Sequence, residues 1–230
     1  MKNIGYIGDV HGNFNHIIWW LKQGHHKKIT LIQVGDFGIG FKPVAEDLVL
    51  KLLNQELEKR ESLLLVIRGN HDNPDYFDGN HDYEFIKFLP DYTEMEIDGL
   101  NHLFIGGAVS IDRCLRVKNV DYWENEKFIC DLEKVKSMKN IDIVVTHSAP
   151  DFNLPIGLNG IVYGYAQKDS DLLGDIEKER SSLTDIFNEI RKKSNPQLHF
   201  YGHFHNSKSE TINDCRHIML DINEVYVPHF

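Results

Sequence analysis

Short apolar runs rich in β-branched residues alternate along the chain with stretches of helical periodicity, the pattern of a layered α/β protein. Buried strands are expected over Ile4–Ile7, residues 29–34, 63–67, 103–105 and 141–145, and Leu198–Tyr201. Between the second and third of these, Val44, Leu48, Leu52 and Leu53 share a stripe and Pro43 suits a first helical turn, which predicts an amphipathic helix over residues 44–60. A second helix is expected over about residues 182–193. Its signal is Leu183, Ile186, Phe187 and Ile190 at i, i+3, i+4 and i+7, with Ser182 and Asp185 resembling a capping pair. Asp98-Gly99 and Asn213-Asp214 each separate two strand-like runs and read as hairpin turns, so the sheets are expected to be mixed. Residues 148–180 carry Gly157, Gly160 and Gly164 and are expected to be irregular, either a substrate-facing lid or partner surface or a mobile loop.

The chain has 230 residues, 41% of them hydrophobic and 26% charged, enough apolar material for a core and within the range of one α/β domain, here 1–230. Its formal charge is 25 − 35 = −10, which argues against an extended duplex nucleic acid as partner. Bound divalent cations would still let an acidic protein hold phosphate. Three cysteines without short spacings exclude a disulfide scaffold. The run Ile4–Ile7 is too short for a signal peptide's apolar region and no stretch nears 18 apolar residues, so a soluble cytoplasmic protein with no membrane partner is expected.

The chemistry lies just past the strand ends. Asp9 and His11 come after the first strand, Asp36 after the second, Asn70 and His71 after the third, His147 after the fifth, and His203 and His205 after the sixth. In α/β sheets that carboxyl edge is where ligand crevices form. Glycines flank these residues and permit tight turns close to a ligand.

The segments Gly8-Asp9-Val10-His11-Gly12, Gly35-Asp36-Phe37-Gly38, Gly69-Asn70-His71-Asp72, Thr146-His147 and Gly202-His203-Phe204-His205 resemble, in order, the five signature blocks of the calcineurin-like metallophosphoesterases. The resemblance implies a four-layer α/β/β/α sandwich with two mixed β-sheets flanked by helices. It implies Asp9, His11, Asp36 and His205 on one metal and Asp36, Asn70, His147 and His203 on the other, with Asp36 bridging. Imidazole and carboxylate donors without thiolate suit Mn²⁺ first, with Fe or Zn²⁺ as alternatives. The implied reaction is hydrolysis of phosphate mono- or diesters by in-line attack of a metal-bridging hydroxide, with His71 protonating the leaving oxygen.

The departures narrow the substrate. Phosphoprotein phosphatases of this superfamily continue the second block into Asp-Arg-Gly, whereas Asp36 is followed here by Phe37-Gly38-Ile39-Gly40, and Asp72 stands where they carry Glu. Nucleotides or nucleic-acid ends are therefore favoured over a Ser/Thr phosphoprotein, and a non-catalytic scaffold with the same fold is the alternative of another class. The segment from Gly106 to Arg113 resembles a stretch of small bacterial and phage members. There Arg113, with Arg116, is expected to supply a phosphate-binding fork, and Asp112 to orient His71 or Arg113. The bland readings are structural or solvated histidines at 16, 25, 26, 81, 102, 199, 217 and 229, core tryptophans at 19 and 20, and a solvated acidic face over residues 56–61. Arg68 stands at a strand end with its direction open.

Overall fold

A computed structural model describes residues 3–24 and 26–228; Met1, Lys2, His25, His229 and Phe230, and with them the readings of His25 and His229, lie outside the described residues. In the first sheet β1 (Ile4–Ile7), β2 (Thr30–Gln33), β3 (Leu63–Val66) and β4 (Ile86–Phe88) run parallel, and β11 (Val225–Tyr226) lies antiparallel on β1. The second sheet orders β5 (Thr93–Ile97), β6 (Leu100–Ile105), β7 (Ile143–Thr146), β8 (Leu198–Tyr201), β10 (Cys215–Met219) and β9 (Lys208–Ile212), with β6, β7, β8 and β10 parallel to their neighbours and the two edge strands antiparallel. Both edge hairpins turn as expected. Asp98 and Gly99 have φ of 50° and 73°, Asn213 and Asp214 49° and 62°, the doubly positive pair that matches the twist of the flanking strands.

Alternation along the strands builds three apolar layers. Ile4, Tyr6, Ile32, Leu65, Ile143, Val145 and Phe200 face one another between the sheets. Ile7, Leu31, Leu64 and Val66 face α1 (Phe14–Gln23) and α2 (Pro43–Glu58). Leu103, Ile105 and Val144 face α3 (Leu132–Ser137) and α5 (Leu172–Ile190). The architecture is thus helices, sheet, sheet, helices, and strands buried on both faces read as continuous apolar runs.

Five expectations are corrected. On α2 three of the four stripe residues point outward, Val44, Leu48 and Leu52 being 82%, 63% and 57% exposed, while the fourth, Leu53, faces the core with Leu50 and Leu57. Glu46 stands on the same inward face as Leu50, Leu53 and Leu57, where its buried carboxylate accepts the Gly40 and Lys42 N–H groups at the helix start. Helix α5 begins at Leu172, so Ser182 is an interior residue and caps nothing. The stretch expected to be irregular contains α4 (Gly160–Ala166), capped by the Asn159 side chain, and the first turns of α5. Trp19 is exposed rather than core, and Glu56 is buried beside Arg60 rather than part of a solvated face. Helix α1 and strand β4 add to the elements expected from the sequence.

Buried histidines lock the second sheet. His102 Nε2 meets Tyr6 Oη at 2.8 Å between the sheets, while its Nδ1 lies 2.9 Å from the Leu100 carbonyl. His199 Nε2 lies 2.8 Å from Thr146 Oγ1, and its Nδ1 2.9 Å from His217 Nδ1. Thr146 donates to the Ser148 carbonyl, so His199 donates from Nε2, and a neutral His199 accepts at Nδ1 from His217. Burial and then Arg191 push His217 down to about 4, and burial, His217 and Arg191 hold His199 well below its ordinary range. Unfolding frees both to titrate near 6.5, so their stabilisation is complete above that value and is lost as pH falls toward 4. His217 alone is expected to remove about 2 kcal/mol of unfolding free energy between pH 7 and pH 5, measurable by urea titration. A His217→Gln chain losing as much over the same interval would place the acid sensitivity elsewhere.

Candidate metal centre

Because β1, β2, β3, β7 and β8 run the same way within their sheets, their carboxyl ends bring Asp9, His11, Asp36, Asn70, His147, His203 and His205 together at one edge of the sandwich. One donor atom each of Asp9, His11, Asp36 and His205 lies within 4.8 Å of the others, and the same holds for Asp36, His147 and His203. Asp36 belongs to both groups. Its Oδ1 is 3.1 Å from His147 Nε2 and its Oδ2 3.8 Å from His11 Nε2. His205 Nε2 approaches Asp9 Oδ2 to 3.1 Å and His11 Nε2 to 3.0 Å. Asn70 joins the second group through Oδ1, 3.1 Å from His147 Nε2. Its amide orientation is set from behind, since Nδ2 donates to Ser110 Oγ at 3.0 Å and Ser110 donates to buried Glu126.

Backbone geometry makes this convergence possible. His11, Asp36, His203 and His205 have φ of 47°, 55°, 69° and 48°, a region that side-chain-bearing residues enter at some cost. Close approach supplies the second device: a Cβ on Gly69 would lie 2.1 Å from Asp36 Oδ1 and one on Gly202 2.1 Å from Asp9 Oδ1. Asp72 holds the loops in register. Its buried carboxylate accepts N–H groups from Gly69 at 2.7 Å and from Phe37, Gly38 and Ile39 at 3.1, 2.7 and 3.1 Å, tying the end of β3 to the loop after β2.

Electrostatically the edge calls for positive charge. Burial penalises the Asp36 carboxylate, but His147 and then His71 and His11 hold it well below the usual range. Burial likewise penalises an imidazolium at His147, and Asp36 outweighs it, raising His147 to about 9. A carboxylate shared by two imidazole-bearing donor groups, with no thiolate, fits a hard-to-borderline divalent cation on each side.

His71 lies over this edge. Its N–H donates to Asp36 Oδ1 at 2.7 Å, its ring centroid is 5.0 Å from that of His11, and its Nε2 is 2.5 Å from Arg116 Nη2. Burial is the main reason it sits below its ordinary pKa, opposed by Asp36 and reinforced by Arg116. Arg116 in turn pairs with Asp112 Oδ1 at 2.6 Å and donates to the Asn70 carbonyl at 3.3 Å. Arg113 is not brought to the cluster. Its guanidinium is held by Asp169, at 2.5 and 3.1 Å, and by Asp175 at 2.5 Å. Arg68 likewise is spent on Asp91 and on the carbonyls of residues 125–127. Arg113→Ala is therefore expected to change turnover less than about threefold while costing about 1–3 kcal/mol of stability. Arg116→Ala is expected to lower kcat/KM at least about tenfold. Equal kinetic losses in the two variants would return Arg113 to the site. Asp72 lies in the third signature block and Ser110 between Gly106 and Arg113, but nothing in the sequence marks either of them, or Glu126, as a support of the cluster.

Fold and cluster define a four-layer α/β protein with a histidine–carboxylate centre able to bind metal where the strands end. Residues 2–207 match the family model described as calcineurin-like phosphoesterase, and the chain belongs to that family of phosphate-ester hydrolases, which use divalent metals. No curated protein matches it in sequence. A Staphylococcus aureus protein provisionally classed as a 5′-nucleotidase, solved with α-ketoglutarate, is similar with a TM-score of 0.50 at 12% identity, over 96% of this chain and 49% of that one. The chain thus spans about half the length of that protein. A phosphopantetheinyl hydrolase from Mycobacterium tuberculosis is similar with a TM-score of 0.48 at 13% identity, over 96% and 91% of the two chains. GAP50, the anchor in the inner membrane complex of Plasmodium, gives 0.45 at 16% identity, over 96% and 72%. At these identities the likeness is one of fold. Among the described residues no helix is long and apolar enough to cross a membrane.

Proposed function

We propose that the chain hydrolyses phosphate mono- or diesters at a pair of divalent cations, Mn²⁺ first, one held by Asp9, His11, Asp36 and His205 and the other by Asp36, Asn70, His147 and His203. The observation that carries this reading is the sharing of Asp36 between two donor groups. Such a pair, when bound, acidifies water and neutralises charge building on the phosphoryl oxygens. The chain's own residues do the rest. Arg116, fixed by Asp112, donates to His71 Nε2 and presents a guanidinium for the phosphate; a phosphate that draws it away would let Nε2 take up the proton that His71 gives the leaving oxygen. Two cavities, of about 530 and 400 Å³, both border His71, which supports keeping diesters among the substrates.

The net charge of −10 favours small phosphate esters, nucleotides or strand ends over a duplex, and the absence of Asp-Arg-Gly after Asp36 favours them over a phosphoprotein. The test is metal analysis of the purified chain together with Mn²⁺-stimulated hydrolysis of 4-nitrophenyl and bis(4-nitrophenyl) phosphate. About two equivalents of metal and turnover of at least one ester are expected. Less than one equivalent and no turnover would make the chain a scaffold with this fold.

A further inference from the structure

The larger cavity runs from the metal edge, at Asp36, Asn70, His71, His203 and His205, into a wall that the cluster does not use. Ile111, Leu158, Ile161, Val162, Tyr165 and Ile176 line it, contributed by the loop after β6, the loop before α4, α4 itself and α5. Its volume of about 530 Å³ lies in the range of sites that enclose a small organic molecule. The guanidinium on this wall, Arg180, is occupied: it donates to the carbonyls of Ala149, Pro150, Asn153 and Pro155 at 3.2, 2.8, 2.5 and 2.7 Å. It anchors the loop and has little left to give an anion.

The other buried polar groups on this wall are turned away from it. Ser148 and Glu179 are only 1% and 7% exposed, they lean toward one another, and Ser148 Oγ and Glu179 Oε2 have almost no accessible surface from which to meet a ligand. The wall therefore offers an occupant chiefly apolar contact.

We propose that this cavity seats the organic arm of the ester, and that the arm is uncharged, largely apolar and of aryl size or longer. The proposal rests on the phosphoesterase reading above and adds to it a substrate class and the residues that select it. The metal edge takes the phosphoryl group and the wall of α4 and α5 takes the arm.

The experiment compares phenyl, 4-butylphenyl and 4-(3-hydroxypropyl)phenyl phosphate, whose phenols are similarly acidic, so that differences report binding of the arm and not leaving-group chemistry. With Mn²⁺ present, kcat/KM is expected to favour the butyl over the phenyl ester by about tenfold or more. Ile161→Glu, at a position 65% exposed and thus tolerant in folding, is expected to bring that ratio below about threefold. The hydroxypropyl ester, whose arm ends in a hydroxyl, is expected to fall at least about threefold below the butyl ester. Calorimetric binding of free 4-butylphenol to the wild type and to Ile161→Glu provides a readout without turnover. Hydrolysis with a butyl-to-phenyl ratio near one overturns the arm site and leaves the phosphoesterase reading standing. No hydrolysis of any ester overturns the phosphoesterase reading, and 4-butylphenol binding that Ile161→Glu does not weaken then overturns the cavity assignment as well.

Discussion

Asp36→Asn is expected to lower kcat at least about 10³-fold and to reduce bound metal from about two equivalents to about one, with the fold retained. The His71 N–H donates to Oδ1 at 2.7 Å, so an amide at this position keeps its oxygen there and turns its NH₂ to where Oδ2 stood. That NH₂ then faces His11, 3.8 Å from the present Oδ2, and the group formed with Asp9 and His205. A donor replaces an acceptor on that side, and the negative charge is lost on both. The cation held by Asp9, His11 and His205 is accordingly the one expected to leave. Two equivalents of metal and undiminished turnover in the variant would remove Asp36 from its bridging place.

His71→Gln is expected to lower kcat by about 10²–10⁴-fold on esters of weakly acidic alcohols, and far less on 4-nitrophenyl esters. The reason is the proton. A 4-nitrophenolate leaves without one, whereas an alkoxide needs it in the transition state, so the size of the loss should follow the leaving group's basicity. A loss of equal size across the series would show that His71 only positions the phosphate or its Arg116 neighbour, whose Nη2 lies 2.5 Å from His71 Nε2. The variant also keeps a side chain able to accept from Arg116, which separates the loss of a titrating ring from the collapse of the Asp112–Arg116 pair.

Much of the sandwich was legible because its signals are local. Strands buried on both faces show as apolar runs, doubly positive turns show as Asp-Gly and Asn-Asp, and chemistry-bearing side chains beside glycines mark where strands stop. The parts that differ turn on contacts that an apolar pattern does not display. On α2 the stripe of Leu50, Leu53 and Leu57 competes with that of Val44, Leu48 and Leu52, and Glu46, reaching back to the Gly40 and Lys42 N–H groups, lies with the former. Arg113 and Arg116 are equivalent as sequence. The chain makes a short turn over Arg113–Leu115 and straightens at Arg116, sending one guanidinium to Asp169 and Asp175 and the other to His71. The left-handed conformations of His11, Asp36, His203 and His205 were equally invisible, because residues with side chains enter that region only where surrounding structure forces them.

Four of the seven candidate ligands hang from the first sheet and three from the second. Cations bound there would act as rivets through the two plates of the sandwich, placed at one rim and nowhere else. Shear of one sheet over the other would then be resisted most strongly at that rim, and chelation would free it first. Amide hydrogens near the ends of β2, β3, β7 and β8 would exchange faster when metal is withdrawn, and those at the opposite rim would not. The melting temperature would rise with the logarithm of free cation concentration, so the mechanical rigidity of the molecule becomes a function of the metal available to it.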